Sequence, residues 1–156
     1  MIDSLDLGLK EKVAIIAGAG AKGDGIGNGR AAAILLAEAG AKVVVADKDQ
    51  ELAERTVQMI SERKGNAASV AADLTKASDC EKVVEYALKH YGRLDVLDNN
   101  IGIASNLSVV EESEEYWERV MEINLKPMFL MSKYAIPAMI SSGDGGSIVN
   151  LSLIHI

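Results

Sequence analysis

Val13-Ala14-Ile15-Ile16-Ala17-Gly18-Ala19-Gly20-Ala21-Lys22-Gly23-Asp24-Gly25-Ile26-Gly27-Asn28-Gly29-Arg30 is the stretch that decides how this chain folds. A short apolar run leads into six glycines, and an alanine-rich segment from Arg30 to Ala39 follows. The order reads as strand, tight loop and helix start. Glycines let a backbone approach a pyrophosphate to hydrogen-bonding distance, and a helix N-terminus adds free N–H groups and positive partial charge.

The next apolar run, Lys42-Val43-Val44-Val45-Ala46, closes on Asp47, twenty positions after Gly27. A carboxylate there would accept hydrogen bonds from an adenosine ribose, so the two features together imply a dinucleotide site. Two plainer readings compete: a glycine loop with no ligand, and Asp47 as a helix N-cap. Gly18-Ala19-Gly20-Ala21-Lys22-Gly23 matches G-x-G-x-x-G literally, but Asp24-Gly25-Ile26-Gly27 follows where a helix should. Gly18 therefore reads as the turn after the strand and Gly25-Ile26-Gly27 as the helix start. A P-loop is excluded, because no Gly-Lys-Ser/Thr closes the loop.

Outward from this stretch, short apolar runs alternate with helical patterns. Strands are expected at Val13–Ala17, Lys42–Ala46, Ala68–Ala72, Leu94–Leu97 and Ser147–Leu151. Helices are expected at Gly27–Ala39, Gln50–Arg63, Ser78–Tyr91 and across a long segment from Glu114 to Ser141. Ser78 with Glu81 suggests a capping box, Gly92 a helix stop, and Gly40 and Gly65 similar stops for the two earlier helices. Pro127 should break the long segment just after Asn124. Nearly all-apolar strands between amphipathic helices predict a parallel α/β sheet, doubly wound and covered on both faces, with ligand at the carboxyl ends of the strands.

Bulk properties narrow the function. The 156 residues suit one domain, and 49% hydrophobic with 25% charged residues is ordinary for a globular protein. A net charge of −7 argues against nucleic acid and anionic membrane as partners. No apolar segment approaches the roughly 18 residues of a bilayer span. The segment Met1–Lys12 carries Asp3, Asp6 and Glu11 and lacks the apolar stretch of a secretory signal. Cys80 is the only cysteine, which fits a reducing, cytoplasmic setting and leaves neither a disulfide nor a cysteine metal site. His90 and His155 are too few and too distant for a metal centre, so no metal is expected. Met121, Met128, Met131 and Met139 read as helix packing, and Cys80 as structural.

The chain resembles the short-chain dehydrogenase/reductase family along nearly its whole length. Gly18 and Gly25-Ile26-Gly27 are similar to that family's Gly-x-x-x-Gly-x-Gly loop with three extra residues inserted. The insertion carries Lys22, able to reach a phosphate, and Asp24, which would repel one. Asp73-Leu74 falls where family members hold the adenine ring. Asn99-Asn100-Ile101-Gly102 resembles the family's Asn-Asn-Ala-Gly, with Ile101 replacing a small alanine and Asp98 standing in an apolar strand position. A buried Asp98 would need a hydrogen-bonding partner or a raised pKa. Asn124, in Met121-Glu122-Ile123-Asn124-Leu125-Lys126, matches the catalytic asparagine that holds a water in the proton relay.

The resemblance implies a Rossmann-like fold of about five strands over residues 1–150. It also implies an NAD(P)-dependent oxidoreductase acting on a small-molecule secondary alcohol or ketone, with a homo-oligomeric parent, a dimer or tetramer. Asp47 favours NAD over NADP by repelling a 2′-phosphate, an effect that Lys48 tempers. Cofactor contacts are thus expected at Gly18, Gly25, Ile26, Gly27, Asp47, Asp73, Leu74, Asn99 and Gly102, with Asn124 catalytic.

The family's tyrosine and its lysine four residues on are not found: His90, Asp95, Val120 and Ala138 stand four positions after Tyr86, Tyr91, Tyr116 and Tyr134. Gly146-Ser147-Ile148-Val149-Asn150-Leu151-Ser152 resembles the strand that ends in the family's catalytic serine, but Leu153 occupies the serine position and Ser152 the neighbouring one. Leu151-Ser152-Leu153-Ile154-His155-Ile156 is also the translation of CTG TCT CTT ATA CAC ATC, a transposon end used in sequencing libraries. Residues 151–156 are therefore expected to be a non-native tail, with the native sequence cut near Asn150. On this reading the chain is an N-terminal fragment of an oxidoreductase. The alternative for the isolated polypeptide is a non-catalytic dinucleotide-binding module.

Overall fold

A computed structural model describes residues 7–143 and 145–151. The expectations for Ser152, Leu153 and His155 lie outside the described residues. Val13–Ala17 forms β1, every residue of it buried, and Lys42–Asp47 forms β2. The others are β3 (Asn66–Ala71), β4 (Val96–Asn99) and β5 (Ser147–Asn150). All pair in parallel in the order β3-β2-β1-β4-β5. The chain winds outward from β1 in both directions, so the carboxyl ends of β1 and β4 diverge into a crevice, the topological switch point of a Rossmann-like sheet.

Five helices connect the strands: α1 (Asn28–Glu38), α2 (Gln50–Glu62), α3 (Ala77–Tyr91), α4 (Glu114–Asn124) and α5 (Lys126–Ser141). Side chains alternate across the strands, and the two faces sort accordingly. Ala14, Ile16, Val43 and Val45 pack with Ala33, Ile34, Ala53 and Ile60 of α1 and α2. Val13, Ile15, Val44 and Leu97 pack with Cys80, Val83, Ala87, Met131 and Ala135 of α3 and α5. Both faces are covered, as the apolar runs predict.

Several local expectations needed correction. β3 begins at Asn66 and β4 at Val96, each shifted by two residues, because register with a neighbouring strand overrides the apolar run. The cap of α3 is Lys76 without a side-chain bond, not Ser78. Asp79 in that first turn instead accepts the Asp73 amide at 2.8 Å. After α2 the left-handed residue is Lys64, with φ 63°, rather than Gly65. Gly65 is nonetheless constrained, since a Cβ there would lie 2.6 Å from Ile60 Cγ2. Gly40 and Gly92 do take positive φ after α1 and α3. The long segment breaks at Leu125, and Pro127 occupies the first turn of α5, where its missing N–H costs nothing. Of the four methionines, Met131 and Met139 are buried in the core, whereas Met121 is 38% exposed.

Asp95 locks the amino ends of β1 and β4 together. It accepts the Val13 amide at 2.9 Å, Lys12 Nζ at 3.1 Å and Arg93 Nε and Nη2 at 2.8 and 2.6 Å. Burial acts to raise its pKa, but Arg93, the Val13 amide and Lys12 together hold the carboxyl below its ordinary value. Asp98, half-buried on β4 between Ile16 and Val149, has no such compensation, and burial pushes its carboxyl up.

Candidate functional site

A cleft of about 410 Å³ opens at the carboxyl ends of β1, β2, β3 and β4. Its floor comes from the glycine loop. Gly18 follows β1 with φ +85°, and a Cβ on it would meet Ile101 Cγ1 at 2.8 Å. Gly20 donates its amide to Asp47 Oδ2 at 2.9 Å, and a Cβ there would lie 2.7 Å from the same oxygen. Gly29 packs against the Gly18 carbonyl, and a Cβ on it would come within 2.5 Å of Asn100 Nδ2. Three positions are thus glycine because the neighbouring backbone and side chains leave no room for a Cβ.

Gly27 caps α1, and Ala31 is the first amide to bond back, to Gly27 O at 2.9 Å. The amides of Asn28, Gly29 and Arg30 therefore stand outside the helical ladder, at the positive end of the helix, and Gly27, Asn28 and Gly29 line the cleft. Gly25 and Ile26 do not. Ile26 is 61% exposed, and a Cβ on Gly25 would approach Lys22 O no closer than 3.3 Å. The helix begins at Asn28, one residue after the expected start at Gly27, and the glycine pair that lines the cleft is Gly27 and Gly29 rather than Gly25 and Gly27. The overlooked signal was that Gly29, not Gly27, directly precedes Arg30 and the alanine run.

The opposite wall is acidic and apolar. Asp47 lines the cleft and receives the Gly20 and Asp49 amides. It is not a helix cap, a role taken by Asp49, which accepts the Leu52 amide. Lys48 stands beside it, and Ala72, Asp73, Leu74 and Thr75 continue the wall from β3. Thr75 Oγ1 donates to Asp73 Oδ1 at 2.7 Å, and this bond, with Lys76 beside it, holds the Asp73 carboxyl below its usual range. Cys80, by contrast, is buried and its thiol is pushed up to about 11, so it stays protonated.

Asn100, Ile101, Gly102 and Ile103 close the crevice between β1 and the helices, with Arg119, Ile123 and Pro127 at the far end. Asn100 Nδ2 donates to Gly18 O at 3.2 Å and its amide to Ala17 O at 2.9 Å, joining this segment to the glycine loop. Asn99 lies outside the lining; its side chain is buried and donates to Asn150 Oδ1 at 2.8 Å, bridging β4 and β5. Asn124 is also outside the lining. Its Oδ1 accepts the Ile103 amide and its Nδ2 donates to the Ile103 carbonyl, both at 2.9 Å. Both ends of the Asn124 amide are thereby occupied in fixing one wall of the cleft. Among the described residues, no group of three or more His, Cys, Asp and Glu side chains could hold a metal ion, and no helix is long and apolar enough to cross a membrane.

Comparison with known proteins agrees with this geometry. The sequence pattern of the short chain dehydrogenase family matches residues 12–155. An uncharacterized oxidoreductase of Thermotoga maritima is 42% identical over 90% of this chain and 53% of its own length. A cyclohexanol dehydrogenase of an Acinetobacter species is 39% identical over 92% of this chain and 55% of its own. The solved structure of a 7α-hydroxysteroid dehydrogenase complexed with NADH and 7-oxo glycochenodeoxycholic acid superposes with a TM-score of 0.80 at 33% identity, covering 90% of this chain and 52% of that one. The chain spans about half the length of the curated relatives it matches.

Proposed function

Because the chain belongs to the short chain dehydrogenase family, we propose that it is the dinucleotide-binding half of an oxidoreductase that interconverts a secondary alcohol and a ketone using NAD(H). One observation carries the reading: Asp47 stands at the carboxyl end of β2, in the same cleft as Gly18, Gly20 and Gly29, where a Cβ would collide with neighbouring atoms. In this proposal the α1 dipole and the amides of Asn28 and Gly29 hold the pyrophosphate beside Gly27, while Gly18 and Gly20, whose amides bond Ala46 O and Asp47 Oδ2, let it approach the turn closely. Gly25 and Ile26 sit outside that cradle, and the insertion in the loop grows from three residues to five. Asp47 takes the adenosine ribose and favours NAD over NADP. Asp73, kept ionised, and Leu74 flank the adenine, while Gly102 leaves room for the rest of the dinucleotide.

The bound nicotinamide would exchange hydride with the carbon bearing the substrate oxygen. Asn99 and Asn124 serve by holding the walls: Asn99 ties β4 to β5, and Asn124 fixes Ile103. The NADH-bound hydroxysteroid dehydrogenase and the cyclohexanol dehydrogenase support the cofactor and the alcohol class.

A second reading, binding without catalysis by the 156-residue polypeptide itself, is favoured by one observation. None of its four tyrosines is followed by a lysine four residues on. Calorimetric titration of NADH beside an alcohol-oxidation assay separates the two. Binding with turnover supports a catalytic chain, and binding without turnover supports the second reading. Failure to bind NADH overturns both.

A further inference from the structure

Arg30 has the largest side chain among the fully buried residues, at 0% exposure, although it lies beside the most exposed stretch of the glycine loop. A buried guanidinium is costly unless its donors are satisfied. Here Nη1 donates to the carbonyls of Gly23 and Gly25 at 2.8 and 2.6 Å, Nη2 to that of Ala21 at 2.8 Å, and Nε to Thr56 Oγ1 at 3.0 Å. Thr56 in turn donates to the Ala19 carbonyl at 2.8 Å. Three alternate carbonyls, those of Ala21, Gly23 and Gly25, are therefore gathered around one cation, and that of Ala19 is tied to it through Thr56. The hydrogen bonds of Arg30 go to carbonyls and a hydroxyl, not to a carboxylate. The nearby Asp24 is paired with Arg55 on α2 at 2.7 Å, which clamps the outer side of the same loop.

We propose that Arg30 is a positioning residue for dinucleotide binding. By coiling the lengthened turn around its guanidinium, it holds residues 21–26 out of the cleft and brings Gly18 and Gly20 level with Gly27, Asn28 and Gly29. This rests on the dinucleotide reading above. Two facts point the same way: residues 21–26 contribute nothing to the cleft lining, while the glycines on either side of them do. A turn of this length with no internal strand or helix has many conformations, and here the carbonyls of Ala21, Gly23 and Gly25 are fixed by one side chain.

The test compares NADH with adenosine, which carries no pyrophosphate, on the 156-residue chain and its Arg30→Met and Arg30→Lys variants. Hydrogen exchange of residues 21–26 is followed in parallel with that of β2. Arg30→Met is expected to weaken NADH binding at least about tenfold, to leave adenosine binding within twofold, and to speed exchange in 21–26 but not in β2. Arg30→Lys, which keeps the charge but not the fork of donors, should fall between the two. If NADH and adenosine weaken equally, or if Arg30→Met binds NADH as the unaltered chain does, the positioning role is overturned while the dinucleotide reading stands. If the unaltered chain binds no NADH, the dinucleotide reading itself has failed. Should Arg30→Met not fold, Thr56→Val decides: it removes the Nε acceptor, the link to Ala19 and a longer bond to the Leu52 carbonyl, and leaves the Arg30 contacts to Ala21, Gly23 and Gly25 in place. A selective, several-fold loss of NADH affinity supports the proposal, and no selective loss overturns it.

Discussion

The Gly20 amide and the Asp47 carboxylate are joined by a 2.9 Å hydrogen bond that ties the turn after β1 to the end of β2. The bond puts a backbone donor and a negative charge at one point of the cleft wall. It also explains why position 20 has no side chain. A methyl group on Gly20 would sit 2.7 Å from Asp47 Oδ2 and 2.9 Å from Leu52 Cβ, so carboxylate and helix would both have to move. Gly20→Ala is therefore expected to lower stability by about 1–3 kcal/mol and to weaken NADH binding, as read by urea denaturation and calorimetry. Unchanged stability and affinity would show that the loop does not need this close approach.

Asp47 sets the cofactor preference in this account. Asp47→Ser removes the charge that repels a 2′-phosphate and leaves Lys48 free to attract one. The ratio of NADPH to NADH affinity should rise about tenfold or more, measured by fluorescence titration with both nucleotides. A ratio that stays constant would place Asp47 outside the ribose site.

Asn124 should act through Ile103. Asn124→Ala removes both hydrogen bonds to that peptide, so exchange of the Ile103 amide is expected to accelerate well before the core strands change. NADH affinity should fall with it, because Ile103 and Gly102 line the cleft. Faster exchange throughout the sheet would instead assign Asn124 a global structural role.

Asp95 predicts a pH dependence of stability. Its folded carboxyl ionises below the ordinary aspartate range, so the stability it contributes is complete above the unfolded pKa of about 3.9. That contribution is lost as pH falls through the lower folded value. Asp95→Asn should cost about 3 kcal/mol at pH 7, and the difference from the unaltered chain should shrink below pH 4. A difference that is flat with pH would remove Asp95 from the ionic contribution to stability.

Much of this fold was legible because its determinants are local. The runs at Val13–Ala17 and Lys42–Ala46 are nearly continuous apolar strands, and each forms where it is expected. Gly92 stops α3 with a left-handed backbone, and Pro127 starts a new helix. The misplaced elements depend on partners distant in sequence. β4 begins at Val96 because its register with β1 is set there, and Asp79 turns to the Asp73 amide, not to its own helix start.

The site divides in the same way. Asp47 stands in the cleft as its spacing suggests, and Asp73, Leu74 and Gly102 line it where the family resemblance implies. The glycine loop is less legible, because six glycines offer several equivalent spacings, and the packing of Gly29 against Gly18 is what puts Gly27 and Gly29, not Gly25, in the cleft lining. Arg30 could not have been found from the sequence. An arginine early in a helix reads as solvated, and its burial depends on carbonyls that only the folded turn brings together.

The most direct measurement is a residue-resolved titration of the isotope-labelled 156-residue chain with NADH by amide NMR. The account predicts saturable shifts concentrated at Gly18, Gly20, Asn28, Gly29, Asp47, Asp73 and Gly102, with Gly25, Ile26 and the amino ends of the strands undisturbed. No saturable shift, or shifts centred away from that cleft, would contradict it.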